Sequence, residues 1–343
     1  MQPRWHVVAQ TVAIVGVAAG VGAAVYLQHG TIGEGLRQLG SIKWRWVVVA
    51  GSCELVSMVA LALLYRDLLR ANETRLGVPW ILACCLASNA ISLSVPVIGS
   101  GIATRRTFRR FRQGGADATT ASFALTVAGV VSTVTMATVI AAGAALSGNP
   151  AAAVTGVAGA VVMLGAAVAV AVELHSDRGR TRLVRIVRVA IGWSERIIRH
   201  PKGEPDVLAR NALASLERMR LGFATTGRVA VWGLVNWWAD VACLLFSLWA
   251  VGLDHLAVGK IVLVWLAGTG AATLTPTPGG IGAVEVTMVA ALAAFGVRGP
   301  DAITAVLVYR LITFKVIGSF WAVAYEYVDR HRRPHARNEG VAT

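Results

Sequence analysis

PWILACCLASNAISLSVPVIGSGIATRRTFRRFR, residues 79–112, begins as a membrane helix and ends as a row of arginines. Its apolar part, residues 79–103, exceeds the roughly 20 residues that a helix needs to cross a hydrocarbon core. The loop before it carries Arg66, Arg70 and Arg75, and the stretch after it carries Arg105, Arg106, Arg109, Arg110 and Arg112. Arginine-rich loops stay on one side of a membrane, so both flanks ask for the same side. A single crossing violates that preference. The segment is also interrupted, because Pro96 lacks a backbone donor and Gly99 and Gly101 loosen the turns beyond it. A re-entrant hairpin that dips in and returns satisfies both facts, provided its broken backbone is buried in protein or lines a wet cavity.

The remaining sequence fits a chain built in a bilayer. It has 343 residues, 56% hydrophobic and 15% charged, with a mean hydropathy of +0.63, outside the range of soluble domains. Further apolar segments run over 7–27, 44–65, 118–146, 151–173, 228–250, 258–274, 281–295 and 302–328. They are continuous and not alternating, which selects helices over a barrel. The expected fold class is all-α, a polytopic transmembrane helical bundle. Trp5, Trp44, Trp46 and Trp80 sit at segment edges, where interfacial anchors belong. Segment 7–27 is long for a signal peptide and has no small-x-small cleavage site behind it, so it reads as a retained helix. Cys53, Cys84, Cys85 and Cys243 all fall inside apolar segments without metal-ligand spacing and read as packing residues.

Net charge is +14, with a pI near 10.7. Nucleic acid is not the expected partner, because no recognition motif accompanies the charge and the arginines lie between membrane segments. Residues 173–220 hold eleven Lys/Arg and the tail after Val328 adds four arginines, whereas the turns around Gly148 and Gly252 carry almost none. Long loop and C-terminus are therefore expected in the cytoplasm, and the N-terminus with them, in a multi-pass protein of a bacterial inner (plasma) membrane. The chain divides into four regions: a membrane half at 1–173 containing the re-entrant segment 79–103, a basic cytoplasmic loop at 174–227, a second membrane half at 228–328, and a tail at 329–343. Within the loop, Arg182, Arg185, Arg188, Arg196 and Arg199 share one third of a helical wheel, and Leu183, Ile186, Ile191, Trp193 and Ile197 fall in the rest of it. That pattern predicts an interfacial amphipathic helix with its arginines among lipid phosphates.

A second interruption, TPTPGGIG at residues 275–282, separates two apolar segments that are both short for a crossing. They are either two spans or a hairpin from the outer side. In the second case the chain holds two broken hairpins from opposite faces, the sequence pattern of an inverted repeat around a transporter's central site.

No enzyme signature accompanies this architecture. There is no Gly-rich phosphate loop with Lys and Ser/Thr, no HExxH, and no histidine central to an apolar segment, so neither enzymatic activity nor a cofactor or metal is expected. What remains is charge at membrane depth: Glu54, Asp240, Glu285, Arg310 and Lys315. Each costs about 2.5–3.5 kcal/mol at a helix centre, so each should pair or face a cavity. Glu285 with Arg310 is the simplest neutralisation. Glu54 and Asp240 belong to no motif and read first as structural. The arginines at 105–112 offer guanidinium forks suited to phosphate, with Phe108 and Phe111 placed to lodge among acyl chains.

TPTPGGIGAVE at 275–285, followed by AITAVLVYRLITF at 302–314, resembles the signature of the lysylphosphatidylglycerol synthase transmembrane-region family, a flippase-like membrane domain. SNAISLSVPVIGSGIATRRTFRRF at 88–111 is similar to that family's first motif, without the Arg and Glu that many members carry after the proline-glycine turn. The resemblance covers nearly the whole chain. It implies a lipid-translocation domain with broken helices and assigns Pro276, Pro278, Gly279, Gly280, Glu285 and Arg310 to its central site. The chain ends shortly after its last apolar segment, so lysyl transfer by a soluble aminoacyl-transferase domain is not expected.

The expected function is translocation of an anionic phospholipid or of a polyprenyl-linked or glycosylated lipid. Arg105, Arg106, Arg109 and Arg110 would gather headgroups. Helix N-termini at Pro96, Gly99 and Gly101 and at Pro276 to Gly282 would receive the phosphate. Arg310 and Lys315 would add charge there. The expected partners are anionic membrane lipids. Two alternatives are a non-transporting subunit that presents lipid to a separate lipid-modifying enzyme, and a small-solute transporter.

Overall fold

The computed structural model describes residues 42–94, 99–148, 222–275 and 277–316, with a few isolated positions between 154 and 165. The segment at 7–27, the amphipathic stretch at 182–199, most of 151–173 and the tail after residue 316 lie outside the described residues. Among those described there are helices and no strands, as the continuous apolar runs require: α1 (Trp44–Arg70), α2 (Val78–Ser94), α3 (Gly99–Gln113), α4 (Ala118–Ala145), α5 (Phe223–Ala250), α6 (Val258–Leu274), α7 (Ala283–Ala294) and α8 (Pro300–Arg310). A π-helical turn, Leu311–Val316, continues α8.

Among the described residues three helices are long and apolar enough to cross a membrane, α1, α4 and α5, with 27, 28 and 28 residues. At 1.5 Å per residue each extends about 40 Å, more than the roughly 30 Å of hydrocarbon. Their outward faces are apolar: Val48, Leu55, Val56 and Val59 on α1, Val130 on α4 and Val231 on α5 are exposed. Trp44, 66% exposed at the start of α1, sits where an interfacial anchor belongs.

The other helices are shorter, and their ends show how they enter. The start of α2 meets the end of α3, because Leu76 and Trp80 lie where a Cβ on Gly114 would go. Phe111 of α3 packs edge-on to Tyr65 of α1, with ring centroids 5.4 Å apart. α2 and α3 therefore form a hairpin that enters and leaves on one face, held midway by Ser88 and Thr107, whose hydroxyl oxygens are 2.6 Å apart. α2 stops at Ser94, just before the Val95-Pro96 pair that disfavours helix.

The second interruption resolves in the same way. Lys260 near the start of α6 lies 5.8 Å from the ring centre of Phe295 just past α7. Gly268 of α6 packs against Met288 and Val284 of α7. Segments 258–274 and 281–295 are thus two arms of a hairpin and not two spans. This hairpin enters from the opposite face. Gly259 abuts the backbone of Leu146 and Ser147 at the end of α4, and the Lys43 N–H donates to the Ala250 carbonyl at 3.0 Å, tying the start of α1 to the end of α5.

Long helix, broken hairpin, returning helix is therefore a succession that occurs twice among the described residues. The run from α1 through the α2–α3 hairpin to α4 starts and ends at the face where the second hairpin enters. The run from α5 through the α6–α7 hairpin to α8 starts from the opposite face, so the second succession is inverted relative to the first. Each hairpin also has its own core: Leu64, Leu68, Ile81, Phe111 and Phe123 bury around the first, and Leu244, Ile261, Trp265, Met288 and Leu292 around the second.

One assignment from sequence changes. The arginines at 105–112 lie on helix α3, the return arm of the first hairpin, and not in a loop after the segment. Helical spacing explains it, since Ala103, Thr107 and Phe111 recur every four residues on the buried side. Phe111 is fully buried in protein, not lodged among acyl chains, because the hairpin closes over it.

Candidate functional site

The site is built on the seam between α1 and α5. These helices pair antiparallel in steady register: Lys43 meets Ala250, and fourteen residues further along α1 and fourteen back along α5 the Asn236 side-chain amide donates to the carbonyl and hydroxyl oxygens of Ser57, both at 2.9 Å. At the arginine-rich face Asp67 accepts from Arg66 at 2.9 Å and from the Trp232 indole at 3.2 Å, with Arg228 3.5 Å away. A cavity of about 300 Å³ opens there, lined by Arg66, Asp67, Arg70 and Arg228.

One helical turn from the Ser57–Asn236 contact, the same seam carries Glu54 and Asp240. Each lies ten residues from its own helix end, Trp44 or Ala250, and so about 15 Å deep. The Asp240 carboxylate is clamped by donors from two other helices. The Trp265 indole on α6 donates at 2.9 Å and the Tyr309 hydroxyl on α8 donates at 2.9 Å. Glu54 is only 4% exposed, and its Oε2 is buried without a hydrogen-bond partner.

Beside Tyr309, Arg310 reaches the tip of the second hairpin. Its Nε donates to Glu285 Oε1 at 2.8 Å and its Nη2 to the Gly279 carbonyl at 2.6 Å. The other carboxylate oxygen of Glu285 accepts from the Gly282 N–H at 2.6 Å, closing the first turn of α7. The chain can make this turn because Gly279, Gly280 and Gly282 adopt φ of 60°, 67° and 89°, a region that side chains disfavour. The π turn after Arg310 is the kind of helix irregularity often found at functional positions.

Glu54, Asp240, Trp265, Tyr309 and Arg310 border one central cavity of about 440 Å³, within the range of ligand pockets. Its walls come from both hairpins and both long helices. Ser88, Asn89, Ser100 and Thr104 line it from the first hairpin, Gly268, Thr269 and Val284 from the second, and Glu54, Asn236, Asp240 and Arg310 from α1, α5 and α8. α2 also touches the 3-10 turn Pro278–Gly280, which brings the interior of one hairpin against the tip of the other.

The residues singled out from sequence separate on this frame. Glu285 and Arg310 form the expected ion pair, and Gly279 and Gly280 form the turn it fastens. Pro278 begins that turn, while Pro276 and Pro96 lie outside the described residues. Gly99 and Gly101 belong to the first turn of α3, and nothing lies within 4 Å of where a Gly101 Cβ would be. Arg105, Arg106, Arg109 and Arg110 stand on α3 and are not among the residues that line the central cavity. Lys315 falls on the π turn. The N-terminus of α7, expected to await a phosphate, already holds a carboxylate, because Glu285 folds back onto the Gly282 N–H. Sequence reasoning read Glu54 and Asp240 first as structural and did not single out Tyr309, Trp265 and Asn236, which line the same cavity. The available signal was the equal distance of Glu54 and Asp240 from helix ends that the fold places together.

The family model for the lysylphosphatidylglycerol synthase TM region matches residues 12–320. The chain belongs to this family. A search of curated proteins finds no match. The family defines a multi-pass membrane protein, and the match spans both halves of the described bundle and the segments between them.

Proposed function

We propose that this member of the synthase TM-region family translocates a lipid with an anionic headgroup, either a phospholipid or a polyprenyl-linked or glycosylated lipid, across a bacterial inner membrane. The observation that carries the proposal is the central cavity of about 440 Å³ between two broken hairpins of opposite sense, with Arg310 fastened to a hairpin tip at its edge. Opposed hairpins meeting near mid-depth suit alternating access, in which one repeat moves against the other around a fixed site. The arginine-rich face lies in the cytoplasm and the chain termini share it, following the bias of basic loops.

Arg66, Arg70 and Arg228 around the smaller cavity, together with the α3 arginines, attract inner-leaflet headgroups. The hydroxyl and amide groups of the central cavity then take over hydrogen bonds that the headgroup loses with water. Arg310 supplies positive charge at the tip, and an incoming phosphate competes with Glu285 for its guanidinium. That exchange would loosen the tip when lipid arrives and restore it when lipid leaves. The chemistry is carriage and not bond-making, so no enzymatic step is assigned.

Purified protein in proteoliposomes of phosphatidylethanolamine and fluorescent phosphatidylglycerol tests this, with transbilayer movement read by chemical quenching of the outer leaflet. Wild type should exchange the probe, and Arg310→Ala and Glu285→Ala should each slow exchange at least tenfold. Unchanged exchange in both variants would sink the mechanism.

A further inference from the structure

Two carboxylates lie on one seam about 15 Å deep in the bundle, and ion pairing does not explain them. Among the described residues neither Glu54 nor Asp240 is ion-paired to a base. Asp240 spends both oxygens on neutral donors, Trp265 and Tyr309. Glu54 has a buried oxygen with no partner, on the wall of a cavity large enough for water. The antiparallel register sets the two groups at one depth, one turn from the Ser57–Asn236 contact, on the wall of the same cavity. Like charges in a water-poor interior cannot both stay ionised without a counter-charge.

We propose that Glu54 and Asp240 together form a proton-binding site whose loading and release drive headgroup movement; the driving role rests on the lipid reading above. One proton binds at the Glu54 carboxyl and takes the pair from two negative charges to one. Discharge returns that proton to water in the cavity. The change is felt at the hairpin tip through a short route. Asp240 holds the Tyr309 hydroxyl, and the next residue, Arg310, holds both Glu285 and the Gly279 carbonyl. A second charge on the pair strengthens the grip on Tyr309 and pulls the neighbouring guanidinium with it. Neutralisation relaxes both.

The other titratable or charged groups facing Glu54 fit this assignment. α5 brings Asp240 and Cys243, α1 itself brings Cys53 and Tyr65, α2 brings Cys85, and α8 brings Tyr309 and Arg310. Thiols and phenols are ordinarily neutral, and arginine ordinarily charged, at the pH of a cell. Among the described residues, α3, α4, α6 and α7 contribute no titratable side chain to the cavity wall. The carboxylates are thus the groups able to exchange a proton there.

The test has two arms on the full-length protein. Infrared difference spectra between acidic and alkaline buffer should show a protonated-carboxyl stretch in wild type that disappears in Glu54→Gln and Asp240→Asn and returns in Glu54→Asp. In proteoliposomes containing fluorescent phosphatidylglycerol, a gradient of one pH unit should drive the probe toward an asymmetry of up to about tenfold at one proton per lipid, since one unit is tenfold in proton activity. Glu54→Gln should abolish the response and Glu54→Asp restore it. A carboxyl band that survives both neutral substitutions overturns the site. Wild type that moves probe but ignores the gradient overturns the coupling. Wild type that shows the Glu54-dependent band yet moves no probe supports the proton site and sinks the lipid reading instead.

Discussion

The Glu285–Arg310 pair offers the sharpest test of the tip, through a double-mutant cycle. Their side chains are 25% and 13% exposed, and the contact is 2.8 Å. Solvated surface pairs contribute roughly 0.2–1 kcal/mol, whereas breaking a fully buried pair costs about 3–5 kcal/mol. Burial of three-quarters or more, discounted for the remaining solvent, places the coupling near 2 kcal/mol, roughly thirtyfold in the folding equilibrium. Glu285→Ala also removes the partner of the Gly282 N–H and adds about 1 kcal/mol for the lost cap. Arg310→Ala also frees the Gly279 carbonyl, a charge-assisted bond worth about 1.5–3 kcal/mol. Each single variant should therefore lose about 3 kcal/mol or more, and the double variant about 2 kcal/mol less than the sum of the two. Unfolding in mixed detergent micelles, followed by tryptophan fluorescence, measures all three. Effects additive to within about 0.5 kcal/mol would refute a fastened tip, because independent sites behave that way.

Three further outcomes are expected from the packing. Gly259→Ala should destabilise by about 1–3 kcal/mol in the same unfolding assay, because its Cβ would meet the Leu146 and Ser147 backbone, while Gly101→Ala, in open space within a helix, should be neutral or stabilise by up to about 1 kcal/mol. Cysteines placed at Ser88 and Thr107 should cross-link under mild oxidation in membranes, and failure to do so would contradict the α2–α3 hairpin. Asp117 caps α4 by accepting the Thr120 N–H at 3.0 Å, and its hydrogen bonds with Thr120 hold the carboxyl below the usual carboxylate range. The cap's contribution of about 1 kcal/mol should be fully present above pH ~4 and fade as pH falls through the lowered value, a pH dependence that Asp117→Ala abolishes.

Much of this molecule is already legible in its residues. Continuous apolar runs fix the helical class, because a backbone in lipid must satisfy its own hydrogen bonds. Arginine-bearing flanks on both sides of one apolar segment ask for a return to the same side, and α2 and α3 lie side by side with Ser88 against Thr107. The glycines of TPTPGGIG are needed because their φ values lie where side chains do not go, and Glu285 beside Arg310 follows from the cost of an unpaired charge in a membrane. Tertiary structure alone decided the rest. Sequence could not choose between two spans and a hairpin for residues 258–295, since the choice depends on Lys260 meeting Phe295 and Gly259 meeting the end of α4. Nor could it tell that Phe111 faces protein, which depends on Tyr65 from another helix. Glu54 and Asp240 stand 186 positions apart and share no motif. Only the antiparallel register of α1 on α5 sets them at one depth on one cavity, because burial and neighbouring charge are properties of the packed chain and not of any segment within it.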